Sequence, residues 1–303
     1  MNKDFFKKVR ILDGGMGQEL HAKGLISMGT LWSASANLEK KFHNLVVDLH
    51  LSYINSGADV IITNTFSTRR IRLIQNKVNE HFKYINEQAC LLAIKAKDLS
   101  EKNVLIAGSL PSQSDTYVED QRKSNEIEKD FLDQATIINP YVDFFYLDVL
   151  SSIKEIKIAI NSIQKYNKPY LIGAHISEGT KLPSGEKISE IISRINHKKL
   201  LGIILSCISP ENYNLNLEEI KKLNVPFGFK LNAFIKTNPK PNYTGAYNKS
   251  KTGNPNEFLG VREDLTPEKM SDFAKKFKDA GATILGGCCE TRPSHIKKMS
   301  ELK

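Results

Sequence analysis

The residues of this 303-residue chain best suited to chemistry are its four cysteines, Cys90, Cys207, Cys288 and Cys289. Four are too few to staple a chain of this length as a disulfide framework. Clustered thiols in a reducing compartment point instead to metal binding or catalysis. Cys90 sits in the helical pattern Ala89-Cys90-Leu91-Leu92-Ala93 and reads as core, where cysteine is commonly found. Cys207 follows one short apolar run; Cys288 and Cys289 follow another and its closing pair Gly286-Gly287. If both runs are strands of one barrel, three sulfurs reach the same rim. They can then converge on a divalent ion with Zn–S distances of about 2.3 Å. Neighbouring strand residues face opposite ways. Cys288 and Cys289 therefore act together only if the strand has already ended, and the two glycines provide that freedom. A vicinal disulfide at 288–289 would be strained, and paired glycines at this place serve phosphate in many barrels. The three-cysteine rim favours zinc over both.

What must position these sulfurs is an alternation of elements. Strand character appears at 9–13, 59–64, 104–109, 144–148, 169–175, 202–206, 226–231 and 283–286. Most of these runs are continuously apolar, as parallel strands buried on both faces are. Helical patterns occupy 38–55, 79–99, 124–138, 151–166, 186–195, 217–223, 267–280 and 293–302. Thr266-Pro267-Glu268 is a cap with proline in the first turn, and Ala280-Gly281-Ala282 is a stop. Eight strands and eight helices over residues 1–303 predict one (β/α)₈ (TIM) barrel domain of the α/β class. The rival is an open doubly wound sheet. Against it, Asp13-Gly14-Gly15-Met16-Gly17-Gln18 has the wrong glycine spacing for a dinucleotide fingerprint, and no helix of normal length is expected directly behind it. The segment 233–262 is long, polar and rich in Pro, Asn and Gly; a loop of that size after a strand is usually functional or mobile.

A barrel site lies at the C-terminal strand ends. These ends carry Asp13-Gly14-Gly15, Asn64-Thr65-Phe66, Asp148, Cys207, Asn232 and Cys288-Cys289. Composition limits the partners. Net charge is +9, with lysine pairs dispersed along the chain, but no basic stretch is interleaved with aromatics as single-strand binding requires. No nucleic-acid partner is expected. No apolar run is long enough to span a bilayer. The opening MNKDFFKKVRILDGG lacks a signal-peptide core, which predicts a cytoplasmic protein without a membrane partner.

The chain resembles the homocysteine-binding domain family. That family includes the S-methylmethionine- and betaine-dependent homocysteine methyltransferases and the homocysteine module of cobalamin-dependent methionine synthase. The resemblance rests on Ile11-Leu12-Asp13-Gly14-Gly15-Met16-Gly17, on Thr63-Asn64-Thr65-Phe66, and on Cys207 with Pro210. It rests above all on Gly286-Gly287-Cys288-Cys289-Glu290-Thr291-Arg292-Pro293-Ser294-His295-Ile296. It implies a zinc held by Cys207, Cys288 and Cys289, with homocysteine thiolate as an added ligand. It implies Asn232 as an oxygen ligand when substrate is absent. Asp13, backbone amides near Gly14 and the strand-four acid Asp148 would surround the amino-acid end of homocysteine, and Phe66 would wall its thioether region. The helix opening at Thr291-Arg292-Pro293 could receive a carboxylate. His175 and His295 read as structural.

Three departures stand out. Ser206 replaces the usual Asn before the strand-six cysteine, Asp148-Val149 replaces Glu-Thr, and Ser67 stands where betaine enzymes carry Tyr. The expected activity is zinc-dependent methyl transfer from a small-molecule donor to homocysteine, giving methionine. S-methylmethionine or S-adenosylmethionine is the favoured donor, with betaine and corrinoid donors as alternatives. A non-catalytic zinc- and thiol-binding barrel is the rival of another class.

Overall fold

The eight apolar runs form eight parallel strands, each within two residues of its expected bounds. They are β1 (Arg10–Ile11), β2 (Val60–Ile62), β3 (Leu105–Pro111), β4 (Phe144–Leu150), β5 (Tyr170–Ala174), β6 (Leu200–Ile208), β7 (Phe227–Leu231) and β8 (Ile284–Gly287). The computed structural model describes residues 4–27, 29–195, 198–236, 254 and 256–303. Strands pair in the order β1-β8-β7-β6-β5-β4-β3-β2. The remaining seam, β1 to β2, is bridged at Leu12 and Val60, where Asp59 N donates to Ile11 O and Asp13 N to Val60 O. The architecture is the expected (β/α)₈ barrel.

Helices cover the outside: α1 (Met16–Ala22), α2 (Ser35–Leu38), α3 (His43–Asn55), α4 (Arg70–Gln75), α5 (Phe82–Ser100), α6 (Ser124–Ile138), α7 (Ile153–Ile163), α8 (Ile191–Arg194), α9 (Pro210–Ile220), α10 (Pro267–Asp279) and α11 (Pro293–Ser300). Several differ from expectation. The pattern at 217–223 is only the end of α9, which begins at Pro210. Ser209 Oγ accepts from Asn212 N there, the same cap-then-proline device that Thr266 and Pro267 build for α10. The pattern at 186–195 yields a short 3₁₀ turn and the single turn of α8. The pattern at 38–55 starts late, as α3. A short helix, α1, does follow Gly15 directly. Of the long segment 233–262, residues 237–253 and 255 lie outside the described residues.

Strand alternation divides the core. Outward side chains such as Phe145, Leu147, Ile203, Leu205 and Phe229 pack under the helices. Inward ones, Val60, Phe144, Tyr146, Leu171, Ile204 and Ile284, fill the barrel. Phe6 closes the N-terminal end, meeting Phe144 edge-on at 6.0 Å, with its carbonyl taken by Thr283 Oγ1. Full burial of each such side chain is worth about 1.5–3 kcal/mol. Among the described members of this inner cluster, Tyr146 is the one that carries a polar atom, and it lies at the top. The site therefore has to lie above it.

Candidate metal centre and its cleft

In β6, Ile204 points inward and Leu205 outward. Ser206 points inward again, its hydroxyl bonded to Tyr146 OH. Strict alternation would aim Cys207 at the helices. It does not, because the β6–β7 register slips between Ser206 and Ile208 and Cys207 adopts φ 55°. A bulge of this kind re-aims one side chain, and it turns the sulfur into the barrel mouth. Cys207 is thus within β6, not beyond it as the sequence suggested. Asp148 is likewise inside β4, and β4 carries its own slip between Leu147 and Leu150, with Val149 at φ 58°.

Cys288 and Cys289 follow the end of β8. Their loop is tied to β7: Cys288 N donates to Leu231 O, and Ala233 N donates to Cys289 O. It is also pressed against the turn after β1. A Cβ on Gly15 would lie 2.6 Å from Cys288 O, and one on Gly287 would lie 3.3 Å from Gly14 Cα. Two glycine positions thus let the cysteine loop and the first turn meet. All three sulfurs fall within 4.8 Å of one another, and those of Cys207 and Cys289 are 3.8 Å apart. Tyr117 OH lies 3.3 Å from Cys207 Sγ. Asn232 Nδ2 points at that sulfur from 3.6 Å, and Asn256 Nδ2 at Cys289 Sγ from 3.9 Å. The Asn232 oxygen accepts from Phe234 N, so this residue stands behind the sulfurs and presents its amide nitrogen to them.

Three thiols this close cannot ionise alike. Hydrogen bonds from Cys288 and Cys289 hold the Cys207 thiol well below its ordinary range. The same contact pushes Cys288 up to about 12, and Cys289 is raised too. Ionising all three requires added positive charge, which a divalent cation supplies: ligation deprotonates thiols outright. Soft donors in a closed triangle with space on the cleft side fit zinc with an open position.

The cleft above the sulfurs encloses about 870 Å³ out to its open mouth. One wall is aromatic: Trp32, Phe66 and Tyr117 pack with the cysteines. The opposite floor is charged. Asp13 Oδ2 accepts from Ile62 N at 2.7 Å, and its Oδ1 accepts from Lys230 Nζ at 3.0 Å. Burial raises the Asp13 carboxyl above its usual range even beside Lys230. Asp148 Oδ2 accepts from Ser109 Oγ at 2.8 Å. Burial lifts its pKa to about 7, against the pull of Lys230. Burial works against the Lys230 ammonium, but Asp13, Cys288 and Asp148 outweigh it and raise its pKa. Gly14 also lines the cleft, together with the buried Arg69 and Arg72.

Thr291 and Arg292 are not part of the lining. Thr291 turns to Gly15, whose N–H it accepts, and Arg292 N donates to His295 Nδ1. The start of α11 is thus spent on internal bonds. His175 lies between Ser206 O and Ser177 Oγ, and His295 also contacts Leu265 O, so both rings are engaged by the protein itself. Cys90 is fully buried in α5.

The sequence reading missed Lys230, Ser109, Trp32, Tyr117 and Arg69. Lys230 carried a signal, as a lysine inside an apolar strand run. Tyr117 and Trp32 carried none, since they sit in irregular segments with φ 70° and 48°.

The homocysteine S-methyltransferase family model matches residues 10–302. Homocysteine S-methyltransferase 1 of Brassica oleracea var. italica is 24% identical over 317 residues, covering 96% of this chain and 92% of its own length. Betaine–homocysteine S-methyltransferase 1 of Pongo abelii is 25% identical, covering 97% of this chain and 72% of its own. In fold, the metallated form of the homocysteine methyltransferase MmuM from Escherichia coli superposes with TM-score 0.80 at 19% identity, over the full length of both chains. With a family match across nearly the entire barrel, the chain belongs to the homocysteine S-methyltransferase family.

Proposed function

We propose that the protein is a zinc-dependent methyltransferase that moves a methyl group from a small onium donor to homocysteine sulfur, releasing methionine. The observation that carries this reading is the meeting of the Cys207, Cys288 and Cys289 sulfurs within 4.8 Å at the floor of an open cleft. Those three residues would hold zinc. When bound, zinc would take the homocysteine thiol as a thiolate and keep it electron-rich, because three cysteinates already leave the site formally negative.

The chain's own residues do the rest. Asn232 and Tyr117 direct polar hydrogens at Cys207; contacts of this kind orient ligands and tune metal affinity. Asp148, with Ser109 behind it, is the acid toward which the substrate ammonium points. Asp13 and Gly14 complete the floor. Trp32, Phe66 and Tyr117 supply ring faces beside the sulfurs, a wall suited to a sulfonium or quaternary ammonium methyl. Catalysis is then mainly alignment of sulfur, methyl and leaving group, and alignment alone can lower a barrier by about 7–11 kcal/mol. The aromatic wall favours an onium donor, S-methylmethionine or S-adenosylmethionine, over a methyl-corrinoid.

The test is methionine formation by zinc-loaded protein from homocysteine and, in parallel, S-methylmethionine, S-adenosylmethionine, betaine and methylcobalamin. Turnover with a sulfonium donor is expected. Zinc and homocysteine binding without turnover of any donor would overturn the reading in favour of a thiol-binding barrel.

A further inference from the structure

Lys230 is an anomaly among the inward positions of the barrel. Below it in β7 is Gly228, and its cross-strand partner in β8 is Gly286. A Cβ at 286 would lie 3.3 Å from Lys230 Cγ, so the lysine stem runs through the space that this glycine leaves. The residue is buried, at 6% exposure. Yet it lines the cleft, near enough to Asp13, Asp148 and Cys288 to feel their charges.

An ammonium has three N–H donors. Asp13 Oδ1 takes one, and among the described residues Lys230 makes no second hydrogen bond. A buried cation with unused donors is costly unless something else satisfies it. Asp13, conversely, is already engaged on both oxygens, by Lys230 and by Ile62 N. The carboxylate at the cleft floor is thus neutralised by the protein's own cation, in the place where a substrate ammonium would otherwise pair with it.

We infer that Lys230 is a specificity-determining residue that binds the carboxylate of the thiol substrate. This rests on the reading of the cleft as a homocysteine site. Asp13 holds the lysine in place, and the free N–H groups face the substrate. The substrate ammonium is left to Asp148 alone, across the floor. The consequence is an asymmetric demand: the carboxylate of the acceptor matters more than its amino group. Acceptors of the mercaptoalkanoate class should therefore bind, whereas aminoalkanethiols should bind poorly.

The experiment is calorimetric titration of the zinc-loaded full chain, without methyl donor, with three thiols. These are homocysteine, 4-mercaptobutanoate (no amino group) and 3-aminopropane-1-thiol (no carboxylate). Wild-type protein should bind 4-mercaptobutanoate within several-fold of homocysteine and 3-aminopropane-1-thiol about 10- to 100-fold more weakly, the loss of one charge-assisted contact. Lys230→Met should weaken 4-mercaptobutanoate by a similar factor and homocysteine by less, bind 3-aminopropane-1-thiol at least as tightly as wild type because Asp13 is released, and keep full zinc occupancy. Lys230→Arg should restore part of the carboxylate preference. The inference is overturned if wild-type protein prefers the aminothiol. It is equally overturned if Lys230→Met weakens all three thiols alike or loses its zinc, since Lys230 would then only balance charge. Because no donor is present, a failure of methyl transfer leaves this result standing, and the reverse also holds.

Discussion

The lower half of the barrel and its upper rim are built from the same strands, yet they follow different rules. Below, side chains alternate with one slip of register where β6 begins beside Tyr170 and Leu171, and Val60, Phe144, Leu171 and Ile204 fill the interior. Above, β4 and β6 both slip register, and Val149 and Cys207 take left-handed backbone. Among the described residues, the other non-glycine positions with positive φ divide in the same way. Lys77, Glu101, Asn167 and Asn224 follow helices, whereas Trp32 and Tyr117 line the cleft and Glu290 follows the cysteine pair. Regular packing supplies stability, and irregular backbone supplies aim. Such strain persists only where the surroundings over-determine it, and here a packed barrel beneath provides that.

The comparison can be broken most forcefully at the sulfurs. Cys288→Ala should lose zinc and lower turnover more than about 1,000-fold, as expected when the group that activates the nucleophile is removed, while the thermal midpoint of the metal-free protein stays close to wild type. Metal analysis beside activity checks both halves. Retained zinc would separate the rim from its assigned chemistry.

Phe144→Ala should do the opposite. Deleting a fully buried ring of the lower layer costs about 3–5 kcal/mol in denaturant unfolding, with zinc bound at one per chain in the fraction that stays folded. A zinc deficit in that folded fraction would show that the two regions are not separable.

Glu155, at the start of α7, sharpens the contrast in a different way. It is buried, and burial raises its carboxyl from 4.5 to about 7. The folded protein therefore holds this proton more tightly than the unfolded chain does. The stability so gained is complete below about pH 4.5 and is lost as pH rises through 7. Glu155→Gln should flatten that window by on the order of 3 kcal/mol, read from urea midpoints across pH 4–8. An unchanged slope would mean that another group sets it.

Smallest in energy, and confined to the rim, is Gly15→Ala. The added methyl meets Cys288 O and should displace the cysteine loop. Zinc affinity should fall about 10- to 100-fold, the usual effect of disturbing the surroundings of metal ligands, with about 1–3 kcal/mol lost in unfolding from the overpacked backbone. Competition with a chromophoric chelator measures it.

This division also explains what could be read from the sequence. Parallel strands advertise themselves as apolar runs, so all eight strands and the barrel were legible. The end of β8 at Gly286-Gly287 was legible because glycine pairs mark strand ends. The direction of Cys207 was not. Alternation from Ile204 and Ser206 points it at the helices, and no residue type announces the bulge. Lys230 was visible in its run but unassignable, because its partner Asp13 is 217 positions away. The start of α9 was legible in Ser209-Pro210 and was overlooked because the apolar period is weak there.

Zinc K-edge X-ray absorption on the purified protein, before and after homocysteine, addresses the shared ion most directly. Three sulfur scatterers at about 2.3 Å, rising to four on adding homocysteine, is the expected result. Fewer than three sulfurs around the bound zinc, or no change when homocysteine is added, would contradict it.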